Sequence, residues 1–261
     1  MSCAAMLAEQ DWSEDAVLGG RLRLRQFKRG HRFGHDSILL AAACPGQAGE
    51  RAVDLGAGVG AAGLALAARV GGIYVTLVEI DTRLAALAAT NAQLNGLSER
   101  VRIANVDVLA PAAVLAAAGL RAGSLARVLM NPPFNDPKRL KASPDPARRL
   151  AHAAPFGTLA AWVEAAARLL RASGTLTLMW RASGLEEVLR SLGPPFGGVM
   201  VLPIHPRPGK AAVRLLIRAT KGSRAPLSLL PGFFLNDDKG GASAEAEWAL
   251  REGAALPLAE I

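Results

Sequence analysis

From Arg51 onward, short runs of apolar residues alternate with longer segments in which apolar positions recur at helical spacing. The runs predict strands at Ala52 to Leu55, Tyr74 to Glu79, Val101 to Asn105, Ala126 to Met130, Thr175 to Trp180, Val199 to Leu202 and Val213 to Ala219. The intervening segments predict helices at about Ala61 to Val70, Thr82 to Asn95, Pro111 to Ala118, Pro155 to Ala172 and Gly184 to Leu192. Strands alternating with helices imply a largely parallel sheet covered on both faces. The connection Pro203 to Lys210 is too short for a parallel crossover, so the last two strands are expected to pair antiparallel at one edge.

Ahead of this array, residues 1–20 read as a loosely held tail. Arg21-Leu22-Arg23-Leu24-Arg25 alternates with period two, which would put three guanidiniums on one face of a strand and the leucines on the other. Lys28-Arg29-Gly30 reads as a turn, and Asp36 as the N-cap of a short helix through Cys44. The expected fold is α/β, Rossmann-like, with a seven-stranded mostly parallel sheet, an antiparallel edge pair and an N-terminal hairpin and helix extension. Three segments follow: an N-terminal extension over 1–48, the α/β domain over 49–235 and a C-terminal extension over 236–261.

Composition narrows the class. A chain of 261 residues, 51% hydrophobic and 20% charged, carries enough apolar surface for a core and is not a disordered chain. Two cysteines, Cys3 and Cys44, exclude a disulfide framework or a Cys-rich zinc site, and the histidines show no ligand spacing on a plausible helix, so no metal is expected. Residues 1–15 hold four acids and no Lys or Arg, the opposite of a signal peptide. The apolar stretch Leu109 to Leu120 is too short to span a bilayer. A cytoplasmic protein with no membrane partner is expected. The net charge of +8 suggests a polyanionic partner, although Arg outnumbers Lys 24 to 6, so clustering must decide.

The first chemical signal is Val53-Asp54-Leu55-Gly56-Ala57-Gly58-Val59-Gly60, a buried strand running into a glycine-rich turn that opens a helix. Gly56, Gly58 and Gly60 let the backbone approach a ligand where a Cβ would clash, and the helix start offers unpaired N–H groups. Glu79 closes the next strand, where a carboxylate can accept from both ribose hydroxyls, and Asp107 follows the third, within reach of an adenine amine. Asp54 is placed to orient the loop or receive a ligand ammonium, and Asp81 to cap the helix from Thr82. Acids on successive strand ends favour a nucleoside cofactor. The glycine spacing resembles that of class I S-adenosylmethionine-dependent methyltransferases, and a nicotinamide dinucleotide is the alternative.

The second signal is Asn131-Pro132-Pro133-Phe134 after the fourth strand. Consecutive prolines remove two N–H donors and hold the backbone extended. The Asn131 amide oxygen and the Pro132 carbonyl can then accept from one planar NH2 group and localise its lone pair for attack on a methyl donor. Phe134 offers a ring on which a flipped base can stack. The tetrapeptide resembles the motif of methyltransferases acting on adenine N6, guanine N2 or a glutamine amide. Together with Phe33-Gly34-His35-Asp36-Ser37-Ile38-Leu39-Leu40, it resembles most closely the bacterial tRNA adenine-N6 methyltransferases that modify position 37 of a valine tRNA. The resemblance spans about Arg21 to Arg218. Phe134 stands where that family often has Tyr, and the Pro-rich insert at 137–146 has no counterpart.

Cations cluster around this motif. Arg21, Arg23, Arg25, Lys28, Arg29 and Arg32 lie in a stretch free of acids, Lys138, Arg139 and Lys141 follow the catalytic tetrapeptide, and His205, Arg207 and Lys210 form a third group. These are the expected RNA contacts. The reading is therefore methyl transfer from S-adenosylmethionine to an exocyclic amine in RNA, adenine N6 in tRNA foremost. The alternatives are a glutamine N5-methyltransferase, a ribosomal RNA guanine-N2 methyltransferase and a non-catalytic RNA-binding module.

Overall fold

A computed structural model describes residues 12–30, 32–133 and 158–260. The chain opens with a hairpin of β1 (Trp12–Val17) and β2 (Leu22–Phe27), antiparallel, with Trp12 opposite Phe27 and Val17 opposite Leu22. Residues 12–17 are thus a strand and not a tail. No apolar alternation announces β1, because its partners are polar: Glu14 lies opposite Arg25, and the Asp15 carboxylate accepts from Gln26 Nε2 and Arg32. In β2 the leucines do point inward, since Leu22 and Leu24 are fully buried.

Helix α1 (His35–Ala43) follows, with Gly34 and not Asp36 at its N-cap; Asp36 sits in the first turn and pairs with Arg214 at 2.9 Å. The α/β array comprises β3 (Arg51–Leu55), α2 (Ala61–Arg69), β4 (Tyr74–Val78), α3 (Thr82–Leu94), β5 (Val101–Ala104), α4 (Ala112–Ala117) and β6 (Leu125–Met130). It continues through α5 (Thr158–Leu169), β7 (Leu170–Arg181), α6 (Leu185–Leu192), β8 (Phe196–His205) and β9 (Arg214–Lys221). Two short strands, β10 (Ser228–Leu229) and β11 (Phe233–Phe234), precede α7 (Ala244–Leu250). α5 ends before the expected residue 172 because Leu170 already pairs with Leu125 of β6.

The sheet runs β10-β8-β9-β7-β6-β3-β4-β5, with β11 also on β8. β9 alone is antiparallel to its neighbours, β7 and β8. The seven expected strands are all present, but the β8 edge is covered by the two-residue strands β10 and β11, which makes nine described strands. Within the array, β6 is buried at every position, as a parallel central strand covered on both faces must be. One apolar layer joins α1 and α2 to Leu22, Leu24 and the C-terminal Leu256 and Leu258; the other packs α5 and α6 on the opposite face. Among the described residues no helix is long and apolar enough to cross a membrane.

The hairpin is fastened to α3 by two amides. Asn91 accepts from the Arg25 N–H at 2.8 Å and donates to its carbonyl at 2.9 Å, and Asn95 does the same to Arg23 at 2.8 and 2.7 Å. Four residues along a helix advance about 6 Å and two along a strand about 6.6 Å, so side chains at i and i+4 can imitate a neighbouring strand and close the edge of β2.

Candidate functional site

Strand register brings the selected residues to one level. Leu55 pairs with Met130 on one side and Val78 on the other, and Val78 pairs with Ala104. The residues that follow, Gly56, Asn131, Glu79 and Asn105, therefore leave four adjacent strands together. The strand order reverses between β3 and β6, the place where open α/β sheets form their ligand crevice.

The glycine turn is built as its sequence requires. Gly56, Gly58 and Gly60 have φ of +71°, +58° and +88°, a region that side chains strain to enter. A Cβ on Gly56 would stand 2.5 Å from the indole of Trp162, a partly buried side chain of α5. At Gly58 nothing lies within 4 Å of where a Cβ would project, so the loop presents bare backbone to open space.

Two carboxylates brace the turn from beneath. Glu79, only 8% exposed, accepts from the Gly58 N–H and the Asp81 N–H at 2.8 Å each. Burial raises its pKa, while the N–H groups of Asp81 and Gly58 oppose the rise. Asp54 is 2% exposed and accepts from Gly63 N–H in the first turn of α2 at 2.8 Å. Burial pushes its pKa up to about 7 against the Gly63 hydrogen bond, with the nearby Glu79 charge adding to the rise. Of its two expected roles, orienting the loop is the one its hydrogen bond to Gly63 serves. Asp81 caps α3 through the N–H groups of Arg83 and Leu84. Asp107 is exposed and accepts from Leu109 N–H at 2.8 Å.

Asn131 begins the chemical motif. Its Oδ1 is buried and has no hydrogen-bond partner among the described residues, and Pro132 beside it is buried. Phe134, Lys138, Arg139 and Lys141 lie outside the described residues.

The hairpin cations are less free than their spacing suggested. Arg21 is not on the strand face: it lies in the turn before β2, and its guanidinium donates to the carbonyls of Leu18, Arg251 and Glu252. Arg23 and Arg25 both hold Glu14, at 2.7 and 3.1 Å, which keeps the Glu14 carboxyl below the usual range, Arg23 contributing more. Arg25 also lies 4.2 Å over the Trp12 ring, and Arg32 pairs with Asp15 at 3.1 Å. Lys28 and Arg29 are exposed at the hairpin end. Elsewhere, Arg100 donates to the carbonyls of Ala67, Val70 and Ile73, and Arg218 to those of Leu258 and Glu260. Part of the positive charge thus serves as clamps on backbone ends.

Two residues outside the sequence selection matter here. Asn91 is fully buried and donates to Val59 in the glycine turn at 2.9 Å. The signal was a pair of asparagines four apart, poor helix formers in an otherwise regular helix. Ile80, next to Glu79, is 60% exposed, an apolar side chain held at the carboxyl end of the sheet without a packing role. A surface depression of about 400 Å³ lies at the opposite end of the strands, lined by Arg51, Tyr74, Arg100 and Arg102, and holds none of the selected residues.

The chain as a whole is similar to known proteins. The family model of the methyltransferase small domain covers residues 31–202, more than half of the chain. The protein belongs to this methyltransferase family. It is 31% identical over 180 residues to the tRNA1(Val) (adenine(37)-N6)-methyltransferase of Dickeya chrysanthemi, covering 67% of this chain and 68% of that protein. It is 32% identical over 156 residues to the release factor glutamine methyltransferase of Chlorobaculum tepidum, covering 58% of this chain and 52% of that one. The chain thus spans about half the length of that second relative. Among solved structures, a protein of Agrobacterium tumefaciens described as a predicted O-methyltransferase superposes with a TM-score of 0.68 at 31% identity, over 85% of this chain and 98% of that one.

The methyltransferase is S-adenosylmethionine-dependent. The residues fit such a cofactor: bare backbone at Gly58 opens onto space, a buried acid stands at the next strand end, and Asn131 holds an unpaired acceptor close by.

Proposed function

We propose that this methyltransferase modifies an exocyclic amine of RNA, with adenine N6 of a tRNA as the target its residues suit best. The cofactor supplies an electrophilic methyl group. In this reading Gly56, Gly58 and Gly60 with Glu79 seat it, Glu79 taking the ribose hydroxyls on the lone pairs that Gly58 and Asp81 leave free. Asp107 and Ile80 meet the adenine, one by hydrogen bonding and one by contact. Asp54 acts one layer below, through Gly63.

The observation that carries the proposal is the Asn131 amide oxygen, buried with no partner among the described residues. A buried acceptor that stays unpaired is costly, so a site keeps one where an arriving donor completes it. An NH2 group is such a donor. Sharing its two hydrogens between Asn131 Oδ1 and the Pro132 carbonyl turns its lone pair out of conjugation and fixes its direction, and no base is needed until the methyl has been received. Phe134 supplies the stacking ring.

RNA is favoured over protein by the hairpin. Residues 12–32 hold six Lys and Arg against Glu14 and Asp15, and the hairpin rests through Asn91 on the cofactor turn. Arg23, Arg25, Lys28, Arg29 and Arg32, with Lys138, Arg139 and Lys141 after the motif, form the phosphate-contacting set; Arg21 is left out of it.

The test is incubation with methyl-labelled S-adenosylmethionine and either total tRNA or a release-factor protein, followed by digestion to nucleosides or amino acids. Label in N6-methyladenosine is the expected result. Label in methylglutamine would replace the RNA reading by the glutamine one, and label in N2-methylguanosine would move the target base.

A further inference from the structure

Asn91 is the one side chain among the described residues that hydrogen-bonds both the hairpin and the glycine turn. Its oxygen accepts from Arg25 N–H at 2.8 Å, and its nitrogen donates to the carbonyls of Arg25 and Val59, each at 2.9 Å. Both amide hydrogens and the oxygen are therefore used, at a position with no solvent exposure. A buried amide in that state cannot follow one partner without abandoning another.

The Val59 carbonyl belongs to the peptide plane that ends in Gly60 N–H, and that N–H donates to Ala57 at 2.8 Å. Holding the carbonyl therefore orients the whole plane, at a glycine whose φ of +88° leaves it otherwise free to turn. The other bonds that shape the turn come from the turn itself or from the sheet beside it: Ala57 N–H to Val78, Gly58 N–H to Glu79 and Gly63 N–H to Asp54. Asn91 is the link that reaches outward. Asn95 extends it, donating to the Asn91 carbonyl at 2.7 Å while gripping Arg23.

We propose that Asn91 is a positioning residue that couples the docking of the N-terminal hairpin to the geometry of the cofactor turn. Cofactor binding, by fixing the Val59–Gly60 plane, tightens the hairpin, and a loosened hairpin weakens cofactor binding by the same factor, since linkage between two sites is reciprocal. The inference rests on the turn as the cofactor's seat and is indifferent to whether the methyl acceptor is RNA or protein.

Hydrogen exchange of the full chain, read by mass spectrometry with and without saturating S-adenosylhomocysteine, tests it without any substitution. Peptides from 53–62 and from 22–27 are both expected to slow, the latter by about threefold or more. Asn95→Ala, which touches no residue of the turn, is expected to weaken S-adenosylhomocysteine binding by a similar factor in calorimetry. In Asn91→Ser, saturating S-adenosylhomocysteine should still slow exchange at 53–62 but no longer at 22–27, and it should bind more weakly than to the unsubstituted protein. Slowing confined to 53–62, with Asn95→Ala binding like the unsubstituted protein, overturns the coupling and leaves the seat standing. No slowing at 53–62 overturns the seat and the coupling together.

Discussion

The glycine turn and the N-terminal hairpin are both held by side chains that satisfy backbone groups, but the chemistry of the holding differs. Beneath the turn, the buried carboxylates of Asp54 and Glu79 accept from Gly63, Gly58 and Asp81. Beneath the hairpin, the amides of Asn91 and Asn95 accept and donate in equal measure. A buried carboxylate binds N–H groups strongly but must shed or keep a proton according to pH, and a buried amide has no such choice. Two regions a few residues apart in space therefore answer differently to the same change of conditions: the turn titrates and its hairpin support does not.

The largest consequence is in stability. Below about pH 4 the Asp54 carboxyl is protonated whether the chain is folded or not. As the pH rises toward 7 the unfolded chain releases that proton and the folded chain, with its pKa pushed up to about 7, retains it, so stability is lost across this window. Asp54→Asn keeps an acceptor for Gly63 and cannot titrate. Urea unfolding should find the variant gaining on the parent between pH 4 and 8 by on the order of 2–4 kcal/mol. Hairpin exchange rates, corrected for intrinsic chemistry, should show no matching change specific to Asn91 or Asn95. Parallel unfolding curves for the two proteins would remove Asp54 as the titrating support.

Next in size is cofactor binding. Glu79→Ala deprives Gly58 and Asp81 of their acceptor as well as removing the proposed ribose ligand, and should weaken S-adenosylmethionine binding by about 1.5–3 kcal/mol. Calorimetry on the folded variant measures it, and an unchanged affinity would take Glu79 out of the site.

The smallest effect is on the hairpin surface. Replacing Arg23 and Arg25 by Glu, with Arg21 untouched because it clamps the C-terminal segment, should weaken tRNA binding and flatten its salt dependence by about one unit of slope per lost phosphate contact. Superimposable salt titrations would mean that this face of the hairpin meets no phosphate.

What could be read from the sequence follows the same division. The turn was legible because its signals are local: Gly56, Gly58 and Gly60 announce left-handed backbone, and Glu79 and Asn131 announce themselves by ending strands whose registers then align them. The antiparallel pairing of the last two long strands follows from the short connection between them. The hairpin was legible only on its leucine side. β1 escaped because its residues alternate nothing apolar, and Arg21 was misplaced because one residue decides whether a side chain lies on a strand or in the turn before it. Partners of long cationic side chains are fixed by the tertiary structure, which is why Arg100 and Arg218 counted toward a polyanion site in composition and act as carbonyl clamps in the fold. Asn91 needed the fold as well, since its two partner residues, Arg25 and Val59, lie 66 and 32 residues away.

The reading of the chemistry stands on the unpaired oxygen of Asn131, and Asn131→Ala interrogates it directly. Turnover under saturating cofactor and acceptor, measured together with cofactor affinity on the same folded preparation, separates an amine acceptor from a cofactor ligand. Removing one preorganised hydrogen-bonding group from a reacting centre typically lowers turnover by about 100- to 1000-fold. That loss, with S-adenosylmethionine affinity within about twofold of the parent, is the expected result. Undiminished turnover, or affinity and turnover falling together, would contradict it.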